Sequence, residues 1–198
     1  MSRWALIPIK GFDRGKSRLS EVLAPDERAR LTRSLFEHVV QVLRDCPDID
    51  SIAAVSDSAE ARAHAERLGV LALRDVEESR GLADVVNAAV QALALRGASS
   101  VVICMSDLPS LTVDDVASVT QELRSTDVVL VPDLARRGTN VIAVKPATAL
   151  PSCLGNDDSL ERHRALAEEL GLQVSVQLHD GIGFDVDRPA DLDRLRSL

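Results

Sequence analysis

The sequence predicts an α/β fold, a mixed but mostly parallel sheet flanked by helices. Three observations predict it. Short apolar runs alternate with stretches of helical period. Turn and cap signals fall between them. The alternation breaks once, between Val131 and Gly138, where too few residues remain for a crossover helix. An antiparallel excursion is therefore expected in the second half of the chain.

Trp4–Ile9 reads as a buried first strand, feeding the glycine-flanked segment Gly11-Phe-Asp-Arg-Gly-Lys-Ser-Arg-Leu19. Pro25 followed by Asp26 and Glu27 signals a helix start. Asp26–Leu43 then carries Ala29, Leu31, Leu35, Phe36, Val39, Val40 and Leu43 at helical spacing. Ile52–Val55 is a second strand, and Ser56-Asp57-Ser58 opens a helix running to Leu68 and stopping at Gly69. Val70–Leu73 is a short strand, and Leu82–Leu95 a helix ending near Gly97. Ser100–Met105 is the most apolar strand and reads as central. Thr112 caps a helix over Val113–Leu123, and Asp127–Val131 is the next strand. Gly138–Val144 follows as a strand, then a helix over Asp157–Leu170 stopped by Gly171. Gln173–Leu178 and Ile182–Val186 are late strands, and Arg188–Leu198 a terminal helix with Asp187 or Pro189 at its start. With no internal repeat or linker, residues 1–198 are expected to form a single domain.

Composition narrows the function classes. The net charge of −8 argues against broad nucleic-acid or anionic-membrane binding. Aromatic residues are 2% of the chain, which leaves no stacking platform for single strands. No stretch approaches the roughly 18 apolar residues of a membrane span, and no secretory leader is visible, so a cytoplasmic protein is expected. Cys46, Cys104 and Cys153 are widely spaced, matching neither a zinc site nor a disulfide framework.

Against that acidic background the first loop concentrates positive charge, with Lys10, Lys16 and Arg18 as the candidate site cations. A loop at the carboxyl end of a first parallel strand is where α/β sheets bind ligands. Its glycines would let backbone N–H groups approach an anion, so the loop reads as phosphate-binding. It is not a P-loop, because Gly11 and Gly15 have three residues between them where that motif needs four.

Carboxylates gather at other strand ends. Asp107 follows the central strand directly, in Ser106-Asp107-Leu108-Pro109. Asp185 and Asp187 flank Val186, so on extended backbone both carboxylates face one side. Such hard oxygen ligands suit Mg2+ together with substrate phosphates. Asp187 has a second reading as the cap of the last helix. Cation loop and carboxylates together describe a metal-dependent phosphoryl or nucleotidyl transfer site.

In order along the chain, Pro8-x-Lys10, Lys16-x-Arg18-Leu19, Ser106-Asp107-Leu108-Pro109, Arg137-Gly138-Thr139-Asn140, Ser159-x-x-x-His163 and Phe184-Asp185-Val186-Asp187-Arg188-Pro189-Ala190-Asp191-Leu192 resemble the CofC/FbiD guanylyltransferases. That family makes the guanylylated phospho-acid precursor of the deazaflavin coenzyme F-420. The resemblance implies one GT-A-like nucleotidyltransferase domain. It implies GTP bound over Pro8, Lys10, Gly11, Lys16 and Arg18, with Gly81 and Asn87 near the base. It implies Mg2+ held by Asp107, Asp185 and Asp187. It implies a small phospho-acid (phosphoenolpyruvate, 2-phospho-L-lactate or 3-phospho-D-glycerate) held by Gly138, Thr139, Asn140, Gly155, Asn156 and Ser159. The catalytic set would be Lys10, Lys16, Arg18 and Asp107, with the product passing to a downstream phospho-acid transferase.

Two departures stand out. Gly81-Leu82 is separated from Asn87 by Ala-Asp-Val-Val. The acceptor loop reads Gly155-Asn-Asp-Asp-Ser159 where the family has glycine, two residues, then serine: either Asn156 replaces the glycine or the loop is one residue longer. Asp157 and Asp158 then cap the following helix, bind metal, or mark a different acceptor. His163 either orients substrate or packs, while His38, His64 and His179 are scattered. The competing readings are a nucleotidyltransferase for a molybdopterin or sugar phosphate, and a nucleotide-binding module without turnover.

Overall fold

The computed structural model describes residues 2–75 and 81–197. Its strands are β1 (Ser2–Pro8), β2 (Ser51–Ser56), β3 (Leu71–Arg74), β4 (Ala98–Cys104), β5 (Val128–Pro132), β6 (Thr139–Val144) and β7 (Val174–Val176). Its helices are α1 (Pro25–Asp45), α2 (Ala59–Arg67), α3 (Leu82–Ala94), α4 (Val113–Glu122), α5 (Ser159–Glu169), α6 (Asp180–Gly183) and α7 (Pro189–Arg196). The strands form one sheet in the order β3-β2-β1-β4-β6-β5-β7. Only β6 runs antiparallel, against both β4 and β5. The short link between β5 and β6 forces that reversal.

The inner strands show no polar alternation because both faces are covered. Ala5, Leu6 and Ile7 of β1 are each 0% exposed. On one face Phe36, Val39 and Leu43 of α1 pack with Val116 and Val119 of α4. On the other, Val86, Val90 and Leu93 of α3 pack with Ala167 of α5. Helix starts follow the cap chemistry. Thr112 Oγ1 accepts from the Asp115 N–H at 3.2 Å while Asp115 Oδ2 accepts from the Thr112 N–H at 3.0 Å. Pro25 opens α1, and Glu27 Oε2 accepts from the Ala24 N–H at 2.8 Å.

The structure corrects the reading of Ile182–Val186 as a strand. The chain coils through α6, with the Gly183 N–H donating to His179 O at 2.7 Å, then leaves through an extended Phe184 without entering the sheet. The side of β5 away from β6 is already taken by β7. Asn140 Nδ2 serves the freed carbonyls, donating to Ile182 O at 2.8 Å and Gly183 O at 3.4 Å. The expected strand Gln173–Leu178 shortens to β7. Asp187 is not the cap of α7. Asp191 Oδ2 accepts from the N–H groups of Asp187 and Arg188 at 3.0 and 2.7 Å, which leaves the Asp187 carboxylate free to face elsewhere. Leu198, where the last helix was expected to end, lies outside the described residues.

The topology places a crevice. From β1 the chain winds outward through β2 to β3, whereas β4 lies on the other side of β1. Strand order reverses between β1 and β4, and ligands bind at such a switch point, beyond the carboxyl ends of the strands.

Candidate active site

Of the candidate cations Lys10, Lys16 and Arg18, the loop after β1 turns one inward and leaves two outside. Gly11 O accepts from the N–H groups of Arg14 and Gly15 at 2.9 and 3.1 Å, closing a tight turn. Those donors are thereby spent inside the turn, so it is not a P-loop cradle. Gly15 lies against α1, where a Cβ would meet Thr32 Oγ1 at 2.6 Å. Lys16 follows in the left-handed region, φ 55°, and a single 3-10 turn, Ser17–Leu19, buries Leu19 against Leu35, Phe184 and Val186. This geometry drives the Lys16 side chain inward, to 6% exposure. Arg18 stays at the rim, 63% exposed, and pairs with Asp187 Oδ2 at 3.1 Å. Lys10 is exposed, while Pro8 and Gly11 are buried in the frame beneath.

The carboxylates converge on Lys16. Its ammonium donates to Asp107 Oδ2 and, at 3.2 Å, to Asp187 Oδ1. Asp107 sits where β4 ends, anchored by buried Leu108. Val186 is buried between Asp185 and Asp187, and its N–H donates to Asp107 O at 3.3 Å, tying the two segments together. One oxygen from each of Asp107, Asp185 and Asp187 lies within 4.8 Å of the others. Burial, then the charges of Asp107 and Asp187, push the Asp185 carboxyl up to about 6. Burial also opposes charge on Lys16, but Asp107 and Asp187 outweigh it and hold its pKa above the usual value.

This cluster fits a divalent cation. Asp107 Oδ1 is buried and lacks a hydrogen-bond partner, and a buried orphan acceptor is costly unless something binds it. Three hard oxygens around a second positive charge complete the donor chemistry.

The other half of the site is neutral and buried. Thr139 and Asn140 are consecutive residues of β6 and so serve opposite sides of the strand end, beside a register shift at Val131/Pro132. Asn140 faces α6, and its amide partly offsets the upward shift of Asp185. Thr139 faces α5, with Oγ1 at 3.2 Å from Ser159 Oγ and 3.3 Å from His163 Nδ1. Gly138 closes the turn before β6; a Cβ there would meet Asp133 Oδ2 at 2.8 Å. Asp133, not singled out in the sequence, fixes that turn by accepting from the Arg137 N–H at 2.9 Å.

Gly155 adopts φ +90° and passes 3.2 Å (measured from a built Cβ) from Leu82 Cβ. Asn156 has no positive φ and bonds back to Cys153 O at 2.9 Å. The position demanding glycine is thus Gly155, and the loop is the longer of the two alternatives. Asp158 stands at the helix boundary but makes no cap bond; its carboxylate pairs with Arg162 at 2.6 Å, which holds its pKa below the usual range.

Asn87 is not open towards a base. Its Oδ1 accepts from the Ser152 N–H at 2.7 Å and its Nδ2 donates to Ser152 O at 3.4 Å. It thereby ties α3 to the segment before Gly155. Gly81 is exposed at the start of α3, next to residues outside the described set. The remaining histidines lie elsewhere: His38 on Leu111 O, His64 on Glu37 and His179 on Asp115. The three cysteines are free, and burial pushes the Cys104 thiol far up, so it stays protonated.

Comparison with known proteins agrees with this geometry. A family model described as "Guanylyl transferase CofC like" matches residues 3–196. The chain belongs to this family. It is 34% identical over 195 residues to a phosphoenolpyruvate guanylyltransferase of Sphaerobacter thermophilus, covering 98% of this chain and 93% of that protein. It is 33% identical over 186 residues to a 2-phospho-L-lactate guanylyltransferase of Halorubrum lacusprofundi, covering 92% and 79%. In fold it is similar to a CMP:2-keto-3-deoxy-manno-octonic acid synthetase solved with CTP, with TM-score 0.68 at 15% identity, covering 100% and 98%. As a member of the CofC-like family the chain is a nucleotidyltransferase, and its mixed sheet is the nucleotidyltransferase fold. Among the described residues no helix is long and apolar enough to cross a membrane.

Proposed function

We propose that this protein transfers GMP from GTP to the phosphate of a small phospho-acid, releasing pyrophosphate. The observation that carries the reading is the convergence of Asp107, Asp185 and Asp187 on Lys16 at the switch point between β1 and β4. The two curated relatives act, by name, on phosphoenolpyruvate and 2-phospho-L-lactate, which supports the acceptor class.

An acceptor phosphate oxygen attacks the α-phosphorus of GTP, a new P–O bond forms, and the bond to the β-phosphate oxygen breaks. The acceptor is already an anion at neutral pH, so no protein base is required. Catalysis then rests on position and charge neutralisation. Asp107, Asp185 and Asp187 would hold Mg2+. When bound, the ion would neutralise charge on the α-phosphate and acceptor oxygens. Lys16 and Arg18, with Lys10 at the mouth, would meet the triphosphate and steady the departing pyrophosphate. Gly81 at the start of α3 would lie near the base, and Asn87 would link that end to the acceptor segment. Thr139, Ser159 and the Gly155–Asn156 turn would hold the acceptor's anionic groups. The whole of residues 1–198 would act as one domain in the cytoplasm, supplying the coenzyme F-420 pathway and its phospho-acid transferase.

The test is pyrophosphate release with GTP and Mg2+, offering phosphoenolpyruvate, 2-phospho-L-lactate and 3-phospho-D-glycerate in turn, against a no-acceptor control. Release with one names the substrate. Silence with all three, alongside release with a sugar phosphate or molybdopterin and any nucleotide, would replace this reading with another transferase.

A further inference from the structure

The acceptor side holds one titratable side chain that the chemistry above leaves without a task. His163 is 0% exposed, deep among α5, β6 and the segment before Gly155. Its Nε2 lies 2.7 Å from the backbone N of Cys153. A backbone N–H can only donate, so Nε2 must be an acceptor and carry no proton. The neutral ring then carries its single proton on Nδ1, facing Thr139 Oγ1 at 3.3 Å and the Ser159 carbonyl. Burial holds the ring in that neutral state, pulling its pKa down to about 4.

This proton order propagates. The Thr139 hydroxyl cannot donate to Nδ1, because that nitrogen already bears a hydrogen. Thr139 Oγ1 and Ser159 Oγ lie 3.2 Å apart, so one of their two hydroxyl hydrogens bridges them. Whichever donates, the other hydroxyl hydrogen is left over. An imidazole with the opposite tautomer would absorb it. Both hydroxyls are nearly buried, at 4% and 2% residue exposure, so this spare donor has little water to satisfy it.

We propose that His163 is a positioning residue that fixes the Thr139–Ser159 hydroxyl pair as a net hydrogen-bond donor to the acceptor's anionic group. The inference rests on the acceptor-site reading above and adds the reason the pair recognises an anion. A second contact supports it. His163 fixes Cys153 while Asn87 fixes Ser152 from another helix, so consecutive residues of the acceptor segment are clamped. The imidazole therefore sets both the polarity of the hydroxyls and the place of the loop that faces them.

The experiment compares His163→Leu, His163→Asn and His163→Gln with the unaltered protein, using pyrophosphate release with the phospho-acid that the unaltered protein accepts. It also reads the ring tautomer in the unaltered protein by 15N chemical shifts. His163→Leu should raise the acceptor KM roughly 10- to 100-fold and leave the GTP KM within about twofold. His163→Asn places an amide donor near the Nδ1 position and should recover part of the acceptor KM. His163→Gln keeps mainly the acceptor to Cys153 and should recover less. The shifts should report the Nδ1–H tautomer at neutral pH. A charged ring or an Nε2–H tautomer would overturn the proposal without reference to activity. So would equal rises in both KM values, or altered thermal stability with unchanged kinetics, which mark a merely structural role. Failure of the unaltered protein to use any phospho-acid would overturn the functional reading first, and this inference with it. That result is read on the unaltered protein, the others on the variants.

Discussion

The two sides of the crevice are built on opposite principles. On the β1 side, three carboxylates and two cations crowd together, with Asp107 Oδ1 orphaned and Asp185 pushed up to about 6. On the β6 side, Thr139, Ser159 and His163 are buried, neutral and mutually bonded, and the ring is held far below ordinary protonation. The first side is held by opposing charges around Lys16; the second is held by hydrogen bonds between neutral groups, with one hydroxyl hydrogen to spare. A charged cluster of this kind can exchange one cation for another, whereas a buried neutral network cannot rearrange cheaply. On the proposed function, the contrast would separate the chemistry of charge from the selection of the acceptor.

The largest effect should follow from removing a carboxylate. Asp107→Ala or Asp185→Ala should lower pyrophosphate release by at least roughly a thousandfold, because the transition-state charge loses its counter-ion scaffold. Thermal stability should hold, since removing one of three like charges relieves repulsion. Turnover near that of the unaltered protein would break the assignment of charge chemistry to this side.

Lys16 sharpens the comparison next. Its ammonium bonds both Asp107 and Asp187 and forms the positive centre of the cluster. Lys16→Ala should cost about 100-fold in kcat, as loss of one preorganised donor does. The same variant should gain more thermal stability from added Mg2+ than the unaltered protein, because the carboxylates no longer have an internal cation. Equal gains in both would mean that lysine and metal do not share the cluster.

The β6 side is tested by acid. Folding lowers the His163 pKa from 6.5 to about 4, so the unfolded chain binds the proton more readily. The stability due to the neutral ring is present above pH 6.5, declines below it, and is gone once pH has fallen through 4. Between pH 7 and pH 5 the unaltered protein should lose about 2 kcal/mol more unfolding free energy than His163→Gln. Urea unfolding at both pH values checks this, and identical losses would show that the ring is not held neutral.

Much of the β1 side was legible in the sequence. Asp107 at a strand end and the i, i+2 spacing of Asp185 and Asp187 point to one place through local geometry alone, and the structure brings them within 4.8 Å. That segment lies outside the sheet, yet Val186 is buried between the two carboxylates as the spacing implies. What the sequence hid was tertiary. Lys10, Lys16 and Arg18 look alike in a loop, and only the left-handed turn at Lys16 selects which one goes inside. Asn87 and Ser152 are 65 residues apart, so no local pattern announces their pairing. Thr139 and His163 are 24 residues apart, so their contact is likewise tertiary.

The smallest effect is expected where the two sides meet solvent. Asp157 and Asp158 add negative charge beside a segment assigned to an anion, which from the sequence alone could oppose binding. The Asp158 side chain is 55% exposed and its carboxylate is paired with Arg162 at 2.6 Å. Water and that guanidinium screen it from anything in the crevice. Asp158→Asn should therefore change the acceptor KM by less than about threefold, with the GTP KM unaffected. A tenfold fall in acceptor KM would show the carboxylate facing the bound anion. The acceptor side would then be tuned by charge as well as by the neutral network, and the division between the two halves would fail at this position.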